Sequence, residues 1–262
     1  MATREIPCAA SSLLSGLVDG AEVSLVEAAR TRVSVHYETG DPAVPVLSVC
    51  TPSAVRLPNS LVTEVLPDPE KDASQHRTGR VSTSPVIGGG AFRVSGTRWR
   101  VLRWWQPPRP SGLPRPTVAG LEASALRVQL PGVPVLRPSY DGLSPSVLVG
   151  SGPGLTPAGD DVLAGALVAA HATRDPRLPM WRRATRQVLT GARTTAVSRA
   201  MLHHALDGYA TPELAAFLTA LCLGRDISQA RTDLLAVGHT SGSALLAGVL
   251  HTFSTHHLEG AA

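Results

Sequence analysis

Two adjacent carboxylates, Asp160 and Asp161, follow a loop that holds glycines at 150, 152 and 154. Glycine lets such a backbone take positive φ values and come close to a ligand. Thr156 is placed to cap the helix that follows, with Pro157 in its first turn. The free N–H groups and the positive dipole end of that helix would then face the loop, an arrangement suited to phosphate or carboxylate. The loop lacks the Lys-Ser/Thr pair of a Walker A motif and is no dinucleotide fingerprint. Consecutive helical positions differ by roughly 100 degrees, so the two aspartates cannot share one direction. One that turns toward the loop could hold a hard cation such as Mg²⁺, act as a base, or bind a substrate amide. The bland alternative is a tight turn into a buried helix, with the aspartates serving only its dipole.

Two further loops resemble the first. Gly238-His-Thr-Ser-Gly242 opens an apolar helix, with Thr240 or Ser241 placed to cap it. His239 is its one ionisable group, and histidine titrates near neutrality. Arg193-Thr-Thr-Ala-Val-Ser198 also precedes a helix, where ordinary capping by a hydroxyl accounts for it. If the three helix starts converge, they form a cradle for a small, polar, anionic substrate. His203 and His204 are adjacent on one helix and do not have the spacing of a metal-binding pair.

These loops belong to the second half, which reads as helix from residue 150 onward. Pro157–Ala172 carries few charges and should be buried on most sides. Helices are also expected near 179–189, 195–206, 212–223, 227–237 and 243–253. Thr211 is placed to cap the third of these, and Gly191, Gly208, Gly224 and Gly238 fall where left-handed terminators stand. Residues 22–137 instead show short strand-like runs at 33–37, 44–49, 98–104 and 125–130. The third alternates apolar and charged residues with period two. Polar residues 67–84 and proline-dense residues 106–116 break the pattern. The expected fold is α+β, with a β-rich part at 1–137 packed on a helical domain at 138–262.

The formal charge is +4 and Lys71 is the only lysine. The arginines are spread from Arg4 to Arg231, unlike the clustered stripe of a nucleic-acid binder; one or two could serve small carboxylates or phosphates. No apolar run is long enough for a membrane span, and the first residues do not read as a secretory signal. Cys8, Cys50 and Cys222 are odd in number and scattered, which fits a reducing cytoplasm rather than a disulfide framework.

The string Gly-Pro-Gly-Leu-Thr-Pro-Ala-Gly-Asp-Asp-Val-Leu-Ala-Gly at 152–165 resembles the hallmark of the AllH-type family, which includes a subunit of oxamate carbamoyltransferase. Thr194-Thr195-x-x-Ser198 and Gly238-His-Thr-Ser-Gly242-x-x-Leu-Leu-Ala-Gly248 are similar to its later blocks. The resemblance covers residues 145–252. Ser243-Ala244 stands where an acidic residue is common in that family. It implies a multi-subunit enzyme of allantoin, and so purine, catabolism that phosphorolyses oxalurate to oxamate and carbamoyl phosphate. On this reading Gly152, Gly154, Leu155, Thr156, Thr194, Thr195, Ser198, Thr240, Ser241 and Gly242 bind the anion. Asp160 and Asp161 orient the amide or hold a cation, and His239 transfers a proton. The implied partners are other carbamoyltransferase subunits, with self-association also open. Two other readings remain: a non-catalytic binding subunit, and a stand-alone metal-dependent hydrolase that uses the paired aspartates.

Overall fold

The computed structural model describes residues 4–68, 84–124, 130, 132–133, 143–191 and 193–254. The chain divides into two compact units, Met1–Pro107 and Pro108–Ala262. The boundary in sequence falls inside the proline-dense segment. The expected boundary at 137/138 and most of the expected strand at 125–130 lie outside the described residues.

The first unit is a nine-stranded sheet among the described residues: β1 Arg4–Ser11, β2 Val23–Ser24, β3 Val26–Arg30, β4 Ser34–Glu38, β5 Val46–Cys50, β6 Ser60–Val62, β7 Val86–Gly88, β8 Ala91–Val94 and β9 Thr97–Trp105. A short helix, α1 (Ser15–Asp19), follows β1. Strand order is β2-β7-β8-β9-β1-β6-β5-β4-β3. The two edge strands, β2 and β3, are separated in sequence only by Leu25, so the sheet has to curl until its edges almost meet. Tyr37, Phe92 and Trp99, all fully buried, fill the interior with ring centroids 5.4 and 5.3 Å apart. Such tilted aromatic contacts add to what burial alone contributes. The indole N–H of Trp99 donates to the Val65 carbonyl at 2.9 Å.

The second unit is helical: α2 Val118–Ser124, α3 Pro145–Leu148, α4 Ala158–Ala172, α5 Leu178–Leu189, α6 Ala196–Leu206, α7 Pro212–Leu223, α8 Ile227–Leu235 and α9 Ser241–Ser254. The fold is therefore α+β, with strands in the N-terminal part and helices in the C-terminal part. Fourteen of the fifteen residues of α4 are buried, Asp160 and Asp161 included, in keeping with its mostly apolar sequence. Helix α9 lies beside it and runs in the same direction. Thr156 meets Ser241 at one end, and the Thr252 hydroxyl donates to the Ala166 carbonyl farther along. The contact is reciprocal: a Cβ on Gly165 would stand 2.2 Å from the Leu245 carbonyl oxygen, and one on Gly248 would stand 1.9 Å from that of Val162. Leu163-Ala-Gly165 and Leu246-Ala-Gly248 occupy matching places, so the pair is locally two-fold in sequence and in packing.

Thr211 caps α7 by accepting from the Leu214 amide, ahead of Pro212, as expected. Gly208, Gly224 and Gly238 have φ values of 84, 67 and 58°, whereas Gly191 does not take a positive φ. No helix among the described residues is long and apolar enough to cross a membrane.

Candidate functional site

The three loops singled out by their sequence converge. Thr194 donates its hydroxyl to Oδ2 of Asp160, while Oδ1 of Asp160 accepts from the Gly150 amide at 2.9 Å. Thr195 donates its hydroxyl to the Leu155 carbonyl at 2.6 Å and accepts from the Ser198 amide at 3.1 Å, which caps α6. The Thr156 and Ser241 hydroxyls are 3.0 Å apart. The N-termini of α4, α6 and α9 thus meet around one aspartate pair, and their dipoles add a positive potential there.

Gly150 is the pivot that brings the second loop in. Its φ is 78°, and a Cβ would lie 2.1 Å from the Arg193 carbonyl oxygen, so no side chain is tolerated. Its turned-out amide is the one that reaches Asp160.

The start of α4 differs from expectation. Its N-cap is Pro157, with φ −50° and ψ 135°, and Thr156 does not cap it. The Thr156 hydroxyl is drawn to Ser241 instead. The Gly159 amide donates to the Ser151 carbonyl, and those of Asp160 and Asp161 donate to the Pro157 carbonyl. Most first-turn donors of α4 are therefore used internally. The donors left over lie in the loop: the amides of Gly152, Gly154, Leu155 and Thr156 donate to nothing among the described residues. Gly152 and Gly154 have φ values of 103 and 102°.

Both aspartates are buried, at 0 and 1 % exposure. Burial raises the Asp160 carboxyl above its ordinary range, while the hydrogen bonds from Thr194 and Gly150 and the nearby Ser198 hydroxyl work the other way. Burial pushes Asp161 up to about 7, reinforced by the charge of Asp160 and opposed by the Ser241 and Thr156 hydroxyls. Oδ2 of Asp161 has no hydrogen-bond partner among the described residues. The pair is therefore divided in role. Asp160 is saturated and fixes the loops, while Asp161 keeps an open oxygen and a proton near neutrality.

A hard cation wants six or more oxygens around it. With both Asp160 oxygens engaged, the Asp161 carboxyl is the member of the pair left without a hydrogen bond, and no cluster of three metal-ligating side chains occurs among the described residues. Ser198 is fully buried, and its hydroxyl has no hydrogen-bond partner among the described residues. Gly242 is buried where α9 crosses α8, a Cβ there falling 2.0 Å from the Leu234 carbonyl oxygen. Thr240 is half-buried, and His239 is exposed with no hydrogen bond to either aspartate. Spacing alone did not single out Gly150 as a donor to Asp160, nor Gly165 and Gly248 as the crossing point. The repeated Leu-Ala-Gly was the visible signal for the latter.

No solved structure matches the chain. Residues 148–253, which contain Asp160, Asp161 and the two later loops in full, match the family model of oxamate carbamoyltransferase subunit AllH, and it is to that family that this part of the chain is similar.

Proposed function

We propose that the chain is a subunit of a carbamoyltransferase and works with other subunits on a small carbamoyl or amide anion such as oxalurate, with phosphate or carbamoyl phosphate as the second reactant. The observation that carries this reading is the meeting of three helix N-termini around a buried aspartate pair of which one member holds an open oxygen. The free amides of Gly152, Gly154, Leu155 and Thr156 bind the anionic oxygens, as preorganised donors do where charge develops. Hydrogen phosphate attacks the terminal carbamoyl carbon of oxalurate, a C–O bond forms, and the bond to the oxamate nitrogen breaks. Asp161, still protonated, gives its proton to the departing nitrogen and recovers one from the attacking hydrogen phosphate, so it ends as it began. Asp160 positions the loops through Gly150 and Thr194.

Calorimetric titration of the full chain with carbamoyl phosphate and with oxalurate tests this reading. Saturable binding is expected, weakened at least about tenfold (about 1.4 kcal/mol) by Asp161→Asn in a chain that keeps its helical ellipticity. Binding indifferent to Asp161→Asn, or no binding of either compound, would overturn it.

A further inference from the structure

The N-terminal unit holds a second place where chemistry-bearing side chains gather. One mouth of the curled sheet is formed by the starts of β1, β4 and β9 and the ends of β3, β5 and β6, as the registers Arg4↔Thr97, Arg30↔Val35, Ser34↔Cys50 and Cys50↔Val62 require. A cavity of about 530 Å³ opens there. Its lining includes Arg4, Arg30, Arg32, Glu64, Asp68 and, at its base, Trp99. That volume suits a metabolite-sized molecule, and the mouths of small barrels are a common place for one.

The three arginines are not equivalent. Arg30 is committed: it donates to both oxygens of Glu27, at 2.8 and 2.6 Å, and to the Pro67 carbonyl at 2.7 Å. Asp68 acts on Arg30 electrostatically, so its charge is also partly answered. Arg4 and Arg32 are exposed and make no ion pair or hydrogen bond to any described residue. Glu64, also exposed, lines the same cavity.

The turn that carries Arg30 and Arg32 is held rigidly. The Thr31 hydroxyl accepts from the Ser34 amide at 2.9 Å and lies 2.9 Å from the Ser34 hydroxyl. Ser34 in turn is 2.9 Å from Nε2 of His36, whose Nδ1 is 3.0 Å from the Ser48 hydroxyl. Burial lowers His36 to about 4, so this chain of groups stays neutral and adds no competing charge beneath the cavity. Two uncommitted guanidinium forks on a fixed frame, over a cavity of metabolite size, form a receptor for an oxyanion.

We propose that this mouth is a binding site for a small carboxylate or phosphate, gripped by Arg4 and Arg32, with Glu64 selecting against highly charged anions. It lies outside residues 148–253 and stands independently of the reading given for the C-terminal unit.

The experiment is titration of the full chain with inorganic phosphate and, separately, with acetate, followed by calorimetry and by intrinsic tryptophan fluorescence. The two titrations distinguish a phosphate site from a carboxylate site. Arg4→Gln/Arg32→Gln is expected to weaken the preferred anion at least about tenfold, and Glu64→Gln to tighten it. Binding that persists in Asp161→Asn but is lost in Arg4→Gln/Arg32→Gln belongs to this mouth, which separates it from any binding in the C-terminal unit. Identical melting of all variants checks the fold. Unaltered affinity in the double arginine variant, weaker affinity in Glu64→Gln, or no saturable binding of either anion would overturn the proposal.

Discussion

Replacing Asp161 with asparagine should stabilise the C-terminal unit, and by an amount that grows with pH. The side chain is 1 % exposed, and burial carries its carboxyl from 3.8 to about 7. Below about pH 4 the carboxyl is neutral whether the chain is folded or not, and the substitution changes only hydrogen bonding and shape. Between about 4 and 7 the unfolded chain releases the proton while the folded one retains it. The unfolded state then binds fewer protons, and stability falls as pH rises. At about 1.4 kcal/mol per pH unit the wild type loses up to about 4 kcal/mol across this window and no more above it. Asparagine has no such proton, so the difference between the two chains should climb over the same window and then level off. The assay is urea unfolding followed by helical ellipticity, which comes almost wholly from the C-terminal unit because α1 is the single α-helix of the other unit among the described residues. A difference that stays flat from about pH 4 to 7 would refute the reasoning, since it would mean that Asp161 ionises as readily in the folded chain as in the unfolded one.

The crossing of α4 and α9 and the anchoring of Asp160 give two further expectations. Gly248→Ala places a methyl 1.9 Å from the Val162 carbonyl oxygen, which forces the helices apart and should cost about 3 kcal/mol or more, read as a fall in melting temperature; a change within about 0.5 kcal/mol would contradict the close approach. Thr194→Val leaves Oδ2 of Asp160 without its hydroxyl donor and should destabilise by about 1–3 kcal/mol, with Thr194→Ser largely restoring the wild-type value in urea titrations.

The helices were legible because they obey local rules. Low charge over 157–172 gave burial, and Thr211 before Pro212 gave a cap. The strand at 98–104 was legible because it alternates. Strand β1, Arg-Glu-Ile-Pro-Cys-Ala-Ala-Ser, escaped such reading: it has one β-branched residue, a proline and three small ones, and its place is set by partners far along the chain. Thr156 illustrates the same limit. Its type and position are those of a cap, but a hydroxyl 85 residues away claims it. The candidate loops could be picked out one by one from glycine and hydroxyl content. Their convergence rests on Gly150 against Arg193 and on Thr194 bonding Asp160, contacts that no local pattern encodes. The cavity in the sheet's mouth was invisible for the same reason, since Arg4 and Arg32 are unremarkable members of an evenly spread set.

The place of β1 in the sheet has a consequence for how the protein is made. It is the fifth of nine strands, and it pairs in parallel with β9, whose first residue is about ninety positions later. At a synthesis rate of roughly 5–20 residues per second, β1 waits some 5–20 seconds for its longest partner to follow it out of the ribosome. Until then β6 can cover only two of its residues, Ala9 and Ala10, leaving its other side open. Nascent chains stalled before Thr97 should therefore be protease-sensitive and prone to chaperone capture, and protection should arrive abruptly once residue 105 has emerged.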